Sequence, residues 1–485
     1  MRNSFKPYHV VLFVAACLSI LGAIVFFVPE GRKLISGYEF RFLSENKLLK
    51  NGVQKKVDVK KIIADIDTSF VDLPEKEDSL ADKELMGRPG VANFKINESN
   101  LLAFDDAGAE NLTNLFKKLR GASGKKIRIL HYGDSQIEGD RMTAFLRQRL
   151  QEQFGGNGPG FIPAVNVYNT ITFVQRCSPN FKRYTNFGGD ALKSNRYGIL
   201  NSVGRFTEEI TDSAAIAELK AATAWMEIEP NGSAYGRAKN YNNVYLHYSD
   251  ARTKCILKVY QNGNLIVTDS LKADGKYHVY PLNFPGNPGK LRLEFESKVS
   301  PNILGLSLEG DIGVQIDNIA MRGSSGTFFG KIDQTLAKRM YDEQNVEMII
   351  MQFGGNSMPY INDSVSAKKA ANYFRGQLFT IKKLRPQVMI VVIGPSDMST
   401  LVEGEYTTYP LLPFFVDYLR KVTKEAGGAY FDMYAAMGGK DAMVAWVENG
   451  LAAKDYIHFS NKGASIAAQK FYDALMTAYT KLVSE

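Results

Sequence analysis

Apolar positions divide the chain beyond residue 100 into strands and helices. Predominantly apolar runs are typical of strands buried on both faces, and here they lie at 127–130, 346–352 and 388–394. Elsewhere apolar residues recur every three or four positions, which predicts amphipathic helices at 111–119, 366–383, 413–425 and 462–481. Strands joined by helices predict a mostly parallel sheet with helices on both faces, a three-layer α/β/α core.

The pattern changes to short strands and turns between about 160 and 314. The runs 255–260 and 265–267 flank Asn262-Gly263-Asn264, which is a hairpin signal. A series of such short strands is typical of a β-sandwich. We therefore expect a β-sandwich at 161–314, inserted into an α/β core formed by 101–160 and 315–485. Glycan binding is a candidate role for this insert.

The N-terminal part has a different composition. After a short tail at 1–9, residues 10–28 are apolar and uncharged, which predicts a transmembrane anchor. The anchor is expected to be uncleaved, with lipidation at Cys17 as the minor alternative. Basic residues lie on both sides of it, so charge does not fix its orientation. Residues 29–100 are rich in charge and are expected to be a spacer.

The net charge and the cysteines exclude few classes of function. The formal net charge of +8 permits contact with anionic polymers, but no recognisable nucleic-acid-binding module is present, so we expect no nucleic-acid partner. Three cysteines form neither a disulfide framework nor a metal-binding pattern. Outside the apolar segment only a Cys177–Cys255 bridge is possible, and two free buried thiols are the favoured alternative.

Candidate chemistry begins at Ser135. The strand ending at Gly133 is followed by Asp134 and Ser135, and then by a helical pattern at 138–154. Ser135 therefore lies at a strand-to-helix turn, at the carboxyl end of a strand, where a side chain is exposed in a crevice. This position suits a nucleophile. The alternative is that Asp134 or Ser135 only caps the helix.

A serine nucleophile needs a base, usually a histidine oriented by a carboxylate. Of the five histidines, His458 is the best candidate, because it lies in a loop before the last helix with Asp455 three residues earlier. A simple surface turn would have the same spacing. The other four lie next to the apolar segment, in a strand or in the insert: His9, His131, His247 and His278.

Acyl transfer also needs hydrogen-bond donors for the oxyanion of the tetrahedral intermediate. Three candidates follow strands: the backbone N–H of Ser135, the backbone N–H of Gly326 and the side-chain amide of Asn356. Each of them alone could equally be a residue that ends a strand or makes a turn.

Together these residues resemble the four sequence blocks of the SGNH (GDSL-type) hydrolases. The blocks read Gly133-Asp134-Ser135, Ser325-Gly326, Gly354-Gly355-Asn356 and Asp455-x-x-His458. The resemblance implies a flavodoxin-like α/β core, with Ser135 as nucleophile, His458 as base and Asp455 as its orienting carboxylate. It also implies an oxyanion hole made by Ser135, Gly326 and Asn356, and no metal or cofactor.

The inserted β domain makes the chain similar to peptidoglycan O-acetylesterases that carry an insert resembling a carbohydrate-binding module. The chain departs from them at Gln136, where a histidine is common, and at Ser357. Gly323 is an alternative to Gly326 if the register is shifted by one turn. The resemblance implies a membrane-anchored esterase that removes O-acetyl groups from peptidoglycan or another cell-envelope glycan. The implied location is the bacterial inner membrane, single-pass, with a periplasmic or extracytoplasmic catalytic domain.

Two other functions stay open. A polysaccharide O-acetyltransferase would use the same triad with a sugar hydroxyl in place of water. A glycan-binding or scaffold protein would have a vestigial site. Aromatic residues of the insert, Trp225, Tyr235 and Tyr241, could form a sugar platform, although core packing is the simpler role for each. The oligomeric state is not indicated.

Overall fold

The computed structural model describes residues 7–27, 33–35, 38–39, 57–59, 62, 101–210 and 216–483. The chain divides into two compact units, Met1–Lys56 and Val57–Glu485. Most of the predicted tail at 1–9 and of the predicted spacer at 29–100 lies outside the described residues. Within the spacer, Val59 is described and buried in the core of the second unit.

The first unit contains helix α1 (Pro7–Phe27) and a small antiparallel pair, β1 (Lys33–Ile35) and β2 (Tyr38–Glu39). A helix that spans a bilayer needs about 20 predominantly apolar residues. Among the residues that the structure describes, no helix reaches the combined length and apolarity that this requires. This finding overturns the predicted transmembrane anchor at 10–28, and with it the predicted single-pass location in the inner membrane.

The second unit alternates helices and strands at both ends of the chain and has mainly strands in the middle. Its α-helices among the described residues are α2 (Asp106–Arg120), α3 (Thr143–Phe154), α4 (Gly236–Lys239), α5 (Gln334–Glu343), α6 (Ser364–Leu384), α7 (Leu412–Glu425), α8 (Met433–Met437), α9 (Ala442–Glu448) and α10 (Asn461–Val483). Its strands are β3 (Leu102–Ala103), β4 (Lys126–Gly133), β5 (Gly160–Ile162), β6 (Phe173–Cys177), β7 (Lys182–Thr185), β8 (Ser202–Arg205), β9 (Ala222–Pro230), β10 (Asn243–Ser249), β11 (Cys255–Gln261), β12 (Asn264–Leu271), β13 (His278–Asn283), β14 (Leu291–Ser297), β15 (Asn302–Glu309), β16 (Gly313–Ala320), β17 (Val346–Gln352), β18 (Met389–Ile393), β19 (Ser399–Val402), β20 (Glu405–Thr408) and β21 (Ala429–Phe431).

One six-stranded sheet forms the centre of the α/β core. Its strand order is β16-β4-β17-β18-β21-β3, and only the edge strand β3 runs antiparallel to its neighbour. The neighbours of β4 on both sides come later in the chain, so the strand order reverses at β4. Ligands of open α/β sheets bind at the carboxyl ends of the strands at such a switch point. The sheet therefore presents the residues after Gly133 in its central crevice.

The two faces of this sheet are both covered. On β4, Ile127 and Ile129 pack into the cluster formed with α2, α3 and α10, whereas Leu130 and Tyr132 pack into the cluster formed with α5, α6 and α7. All four side chains are fully buried, and burial of one such side chain stabilises the fold by about 1.5–3 kcal/mol. The result is three layers, with the parallel sheet in the middle.

Residues between the two parts of this core form two packed antiparallel sheets. One has the order β13-β10-β15-β8-β7, with β5 also paired to β15, and the other has the order β12-β11-β14-β9-β6. Side chains of both sheets, such as Leu246 and Leu306 from one and Leu257 and Leu293 from the other, share one buried cluster. This arrangement is a β-sandwich whose two ends connect to α3 and β16.

A buried ion network joins the sandwich to the parallel sheet. Arg128 of β4 donates to both carboxylate oxygens of Asp317 of β16 at 2.8 Å and also pairs with Glu309 at the end of β15. Lys126 reaches the same Glu309 at 3.1 Å, and the N–H of Phe161 donates to Asp317 at 2.8 Å. The two layers are thus linked by charged groups as well as by apolar packing.

The cysteines of the sandwich are not bridged. Cys177 and Cys255 are both free thiols, and burial raises the pKa of each to about 12. The interpretation as free thiols is confirmed.

Candidate active site

Ser135 begins a short 3-10 helix directly after β4. Residues Ser135–Asp140 form a 3-10 turn with a break, where Glu138 and Gly139 leave helical geometry and Gly139 has a φ of 72°. The regular helix α3 starts only at Thr143, later than the predicted start at 138. Asp134 accepts a hydrogen bond from the N–H of Gln136 at 2.9 Å, so Asp134 takes the capping role and leaves the Ser135 hydroxyl available.

Ser135, His458 and Asp455 form a continuous hydrogen-bonded chain across 320 residues of sequence. The Ser135 Oγ lies 2.8 Å from His458 Nε2. The other ring nitrogen, His458 Nδ1, lies 2.7 Å from Asp455 Oδ2. In this geometry the carboxylate holds the proton on Nδ1 and leaves Nε2 to accept the serine proton.

The loop that carries Asp455 and His458 is held in one conformation. Asp455 Oδ1 accepts hydrogen bonds from the N–H groups of Ile457 at 2.9 Å and His458 at 3.0 Å. Burial raises the pKa of Asp455, but these hydrogen bonds and the one to the imidazole lower it more, so the net pKa is below the ordinary value. Asp455 therefore remains ionised at neutral pH.

Tyr456, between them, has a φ of 58°, in the left-handed region that non-glycine residues rarely adopt. Its ring stacks on Tyr406 with centroids 3.8 Å apart and planes at 13°. Tyr406 belongs to the β19–β20 hairpin, and the N–H of Ser399 at the start of this hairpin donates to the Tyr456 carbonyl at 3.0 Å. The sequence pattern did not predict this hairpin.

The candidate oxyanion donors differ in their positions. The side-chain amide of Asn356 lines the cleft and donates to Asp134 Oδ2 at 3.2 Å and to the carbonyl of Ser324 at 3.1 Å. The N–H of Gly326 donates to Ser324 Oγ at 3.1 Å, and Gly326 is not among the residues that line the cleft. Gly323, the alternative, does line it.

Asp134 connects two of the sequence blocks. Its carboxylate is buried, which raises its pKa to about 6 in spite of the hydrogen bonds from Gln136 and Asn356. The ionised carboxylate accepts hydrogen bonds from both the Gln136 N–H and the Asn356 amide. Asp134 thereby fixes the position of Asn356 relative to Ser135.

Two further residues, Gln136 and Arg141, join the loop of His458 to the turn of Ser135 by hydrogen bonds. Gln136 donates to the carbonyl of Ile457 at 2.6 Å and accepts from the N–H of Phe459 at 3.3 Å, so it binds the backbone on both sides of His458. Arg141 donates to the carbonyls of Phe459 at 2.8 Å and Ser135 at 2.7 Å. Both residues were missed as functional candidates, because nothing in the local sequence indicates bonds over this separation.

The triad opens into a cleft of about 1140 Å³. The α/β core supplies most of its walls, and the inserted sandwich supplies Val167, Tyr168, Asn169 and Ile171. Arg322 donates to Glu138 at 2.7 and 3.0 Å and lies 5.0 Å from the centre of the Tyr168 ring, with 64% of its side chain exposed. One wall of the cleft is therefore built jointly by the core and the insert.

The remaining histidines and the aromatic residues of the insert that the sequence singled out do not line the cleft. Among the described residues, no group of three or more His, Cys, Asp or Glu side chains is arranged to hold a metal ion. His131 is buried in β4, where burial lowers its pKa to about 4. In the insert, Tyr235 and Tyr241 are buried, and Trp225 lies on the sheet with Arg292 4.3 Å from its ring centre.

Comparison with known proteins gives a similarity in structure. The chain matches the structure of a peptidoglycan O-acetylesterase with a TM-score of 0.61 and 21% sequence identity, over 78% of this chain and 99% of that chain. A family two carbohydrate esterase from Clostridium thermocellum in complex with cellohexaose matches with a TM-score of 0.23 and 10% identity, over 55% of this chain and 94% of that chain, which is too weak to support a conclusion. No protein-family model and no curated protein sequence matches the chain. The resemblance to peptidoglycan O-acetylesterases, which was predicted from the four sequence blocks together with the inserted β domain, is confirmed at the level of the fold.

Proposed function

We propose that this protein is a serine esterase that removes O-acetyl groups from peptidoglycan or another cell-envelope glycan. The observation that carries the proposal is the hydrogen-bonded series from Ser135 Oγ through His458 to Asp455, with distances of 2.8 and 2.7 Å. The fold shared with a peptidoglycan O-acetylesterase supports it. A cleft walled by both core and insert is large enough for a sugar chain, which supports a glycan substrate.

The reaction would proceed in two steps. His458 Nε2 takes the proton of Ser135 Oγ as this oxygen attacks the acetyl carbonyl, and the tetrahedral intermediate collapses as the sugar oxygen leaves with that proton. The acetyl group is then bound to Ser135. His458 next takes a proton from water as the water oxygen attacks the acetyl-enzyme, this proton passes to Ser135 Oγ as the ester bond breaks, and the acetic acid released ionises to acetate.

The oxyanion would be bound by the N–H of Ser135, the side-chain amide of Asn356 and the N–H of Gly323. Gly323 is preferred to Gly326 because it lines the cleft, and its N–H has no hydrogen-bond acceptor among the described residues. The N–H of Gly326, in contrast, is already bonded to Ser324 Oγ. The two bonds that hold Asn356 are longer than 3.0 Å, so an oxyanion could compete for the same amide.

Hydrolysis of an aryl acetate by the full chain tests whether the protein is an esterase. Ser135→Ala is expected to lower kcat by at least about 10³-fold, because the acetyl-enzyme cannot form. The exposed Ser270→Ala in β12 serves as the matched control and is expected to behave as the wild type. Equal activity of Ser135→Ala and the wild type would overturn the proposal.

The glycan is tested separately by measuring acetate released from O-acetylated peptidoglycan. Acetate transferred to an added chito-oligosaccharide is measured in the same reaction. Release of free acetate in excess of transfer supports the esterase, and transfer in excess of release would replace it with the acetyltransferase. An enzyme that cleaves aryl acetate but releases nothing from any O-acetylated glycan would contradict the substrate class.

A further inference from the structure

Gly323 belongs to a four-residue turn, 321–324, which we call the Gly323 turn and which is held at both ends. The N–H of Ser324 closes it by donating to the Met321 carbonyl at 3.0 Å. At one end the N–H of Met321 donates to the Gly133 carbonyl at 2.8 Å. At the other end the carbonyl of Ser324 accepts from the Asn356 amide at 3.1 Å. Gly323 has a φ of 76°, the positive value that the third residue of a type II turn requires.

The centre of the Gly323 turn is held by the side chain of Arg322. It donates to Glu138 Oε2 from Nη2 at 2.7 Å and from Nε at 3.0 Å. Among the residues that the structure describes, none accepts a hydrogen bond from the N–H of Gly323 itself. Glu138 lies three residues after Ser135. The ion pair therefore connects the segment that carries the nucleophile to the segment that carries a proposed oxyanion donor.

The backbone places Glu138 where it can reach this arginine. The 3-10 segment Ser135–Asp140 is interrupted at Glu138, with φ and ψ of −58° and 146°, and at Gly139, with a φ of 72°. Glu138 is only 9% exposed, and its second oxygen, Oε1, is buried without a hydrogen-bond partner among the described residues. A buried carboxylate is unfavourable without a counter-ion, so Glu138 holds Arg322 more firmly than an exposed partner would.

The inserted sandwich contacts the same turn. The Arg322 guanidinium lies 5.0 Å from the centre of the Tyr168 ring, and the ring of Phe187 lies beside Gly323. A guanidinium is attracted to the face of an aromatic ring. Because 64% of the Arg322 side chain is exposed, it would take many rotamers if these partners were absent. Core and insert thus fix the centre of the Gly323 turn together.

We propose that Glu138 is a positioning residue of the esterase, which acts through Arg322 to hold the N–H of Gly323 where the oxyanion forms. The inference rests on the proposed function. Oxyanion donors are effective when they are fixed in advance, about 2.7–3.1 Å from the position that the oxyanion will occupy. A misplacement of about 1 Å can cost about 10²-fold in rate. Loss of the ion pair should therefore slow the chemical step and leave substrate binding nearly unchanged.

Hydrolysis of an aryl acetate by the full chain tests this assignment. Glu138→Ala is expected to lower kcat about tenfold or more and to change KM less than twofold. Glu138→Gln, which keeps an oxygen for Arg322 without the charge, should lose less. Arg322→Met, at an exposed position, should match Glu138→Ala.

The matched controls change an ion pair that also lies beside an aromatic ring. Arg292 of the sandwich pairs with Glu227 at 3.3 Å and lies 4.3 Å from the centre of the Trp225 ring. Glu227→Ala and Arg292→Met are expected to keep wild-type kcat. An unchanged kcat in folded Glu138→Ala, or in Arg322→Met if the former does not fold, would overturn the proposal. So would a change confined to KM.

Combination with Gly323→Ala shows whether the effect passes through the Gly323 turn. Alanine is strained at a φ of 76°, so Gly323→Ala alone is expected to displace its N–H and to lower kcat about 10²-fold. If Glu138 acts through this N–H, adding Glu138→Ala to Gly323→Ala should cause little further loss. Losses that multiply would refute this route, because independent sites contribute additively to the free energy.

Labelling of Ser135 by an alkyl fluorophosphonate separates this inference from the proposed function. It needs the nucleophile and the oxyanion hole but no turnover, and intact-protein mass measures its rate. A rate that falls in Glu138→Ala by about the same factor as that expected for kcat supports the positioning role even if the wild type hydrolyses no ester, a result that would overturn only the esterase proposal. Equal labelling and equal hydrolysis in Glu138→Ala and the wild type, with Ser135→Ala inactive, would overturn only the positioning role. A folded wild type that shows neither labelling nor hydrolysis would overturn both.

Discussion

Replacement of Asp455 by asparagine tests the catalytic proposal more sharply than its replacement by alanine. The Oδ1 atom accepts two backbone N–H groups, so in Asp455→Asn this position must keep the amide oxygen. The amide nitrogen would then face His458 Nδ1, at the position of an atom that is now 2.7 Å away. Two donors cannot share this contact. His458 would have to carry its proton on Nε2, where it could not accept the proton of Ser135.

The size of the effect follows from the charges. At about 4 Å and an effective dielectric constant of about 20, a carboxylate stabilises the developing imidazolium by about 4 kcal/mol. The Asp455 side chain is 46% exposed, so we reduce this to about 3 kcal/mol, which corresponds to roughly 10²-fold in rate. Asp455→Ala should lose this factor. Asp455→Asn should lose at least about tenfold more, because it also imposes the wrong tautomer.

The assay is kcat for aryl acetate hydrolysis at pH 8 with the full chain. Asp417→Asn, which changes an exposed carboxylate paired with Arg420, is the control and is expected to have wild-type activity. The reasoning is refuted if Asp455→Asn is as active as Asp455→Ala, because the backbone hydrogen bonds would then not orient the amide.

Three further predictions concern residues around the site. Arg141→Met should lower kcat for aryl acetate by about tenfold or more and change KM less, since misplacement of the triad affects mainly the chemical step; Arg141→Lys should recover part of the loss. Tyr406→Ala should lower kcat several-fold, because Tyr456 loses the ring that stacks on it, whereas Tyr406→Phe should keep wild-type kcat. The pKa of His131 is about 4 in the folded state and 6.5 in the unfolded state. Between pH 6.5 and 4 the unfolded chain therefore binds a proton that the folded chain does not bind. As the pH falls through this range, the free energy of unfolding decreases by about 3 kcal/mol. Urea unfolding at pH 4.5 and 7.5 should show a smaller loss in His131→Gln than in the wild type, and equal losses would contradict this account.

The elements that sequence patterns predict well are those buried on both faces. The run 346–352 predicts a strand that is observed as Val346–Gln352, and 388–394 predicts the strand Met389–Ile393. Helices with a clear apolar stripe are also found within a few residues of their predicted bounds, as in Leu412–Glu425. In these segments burial of apolar side chains determines the secondary structure, and the local pattern of apolar residues indicates which side chains are buried.

The pattern fails where distant contacts decide. A helix was expected from 138, but Gly139 adopts positive φ and the helix begins at Thr143. The hairpin of β19 and β20 is short and largely exposed, so it has no apolar signature, yet it supports the histidine loop. Gln136 and Arg141 look like ordinary polar residues after a strand-to-helix turn. Their role depends on backbone atoms more than 300 positions away, which no local pattern records.

The four sequence blocks single out the residues that the structure brings together as Ser135, His458 and Asp455. They do not fix the register of the second block, where the cleft favours Gly323 rather than Gly326. Gly323 and Gly326 lie three residues apart in one turn, and the pattern of apolar residues is the same whichever of them faces the cleft. Only the path of the backbone in the structure distinguishes the two glycines. The role of each residue remains a prediction for the kinetic experiments.

The ion network of Arg128, Glu309 and Asp317 limits how this protein can be dissected. Excision of the insert would take away Glu309 and leave the buried Arg128 with one carboxylate instead of two, and Asp317 without the N–H of Phe161. Loss of one partner from a buried ion pair costs about 3–5 kcal/mol, a large share of the 5–15 kcal/mol that stabilises a typical domain. A truncated protein would therefore report on unfolding rather than on glycan recognition. The contribution of the sandwich to catalysis is better measured by point substitutions than by domain deletion.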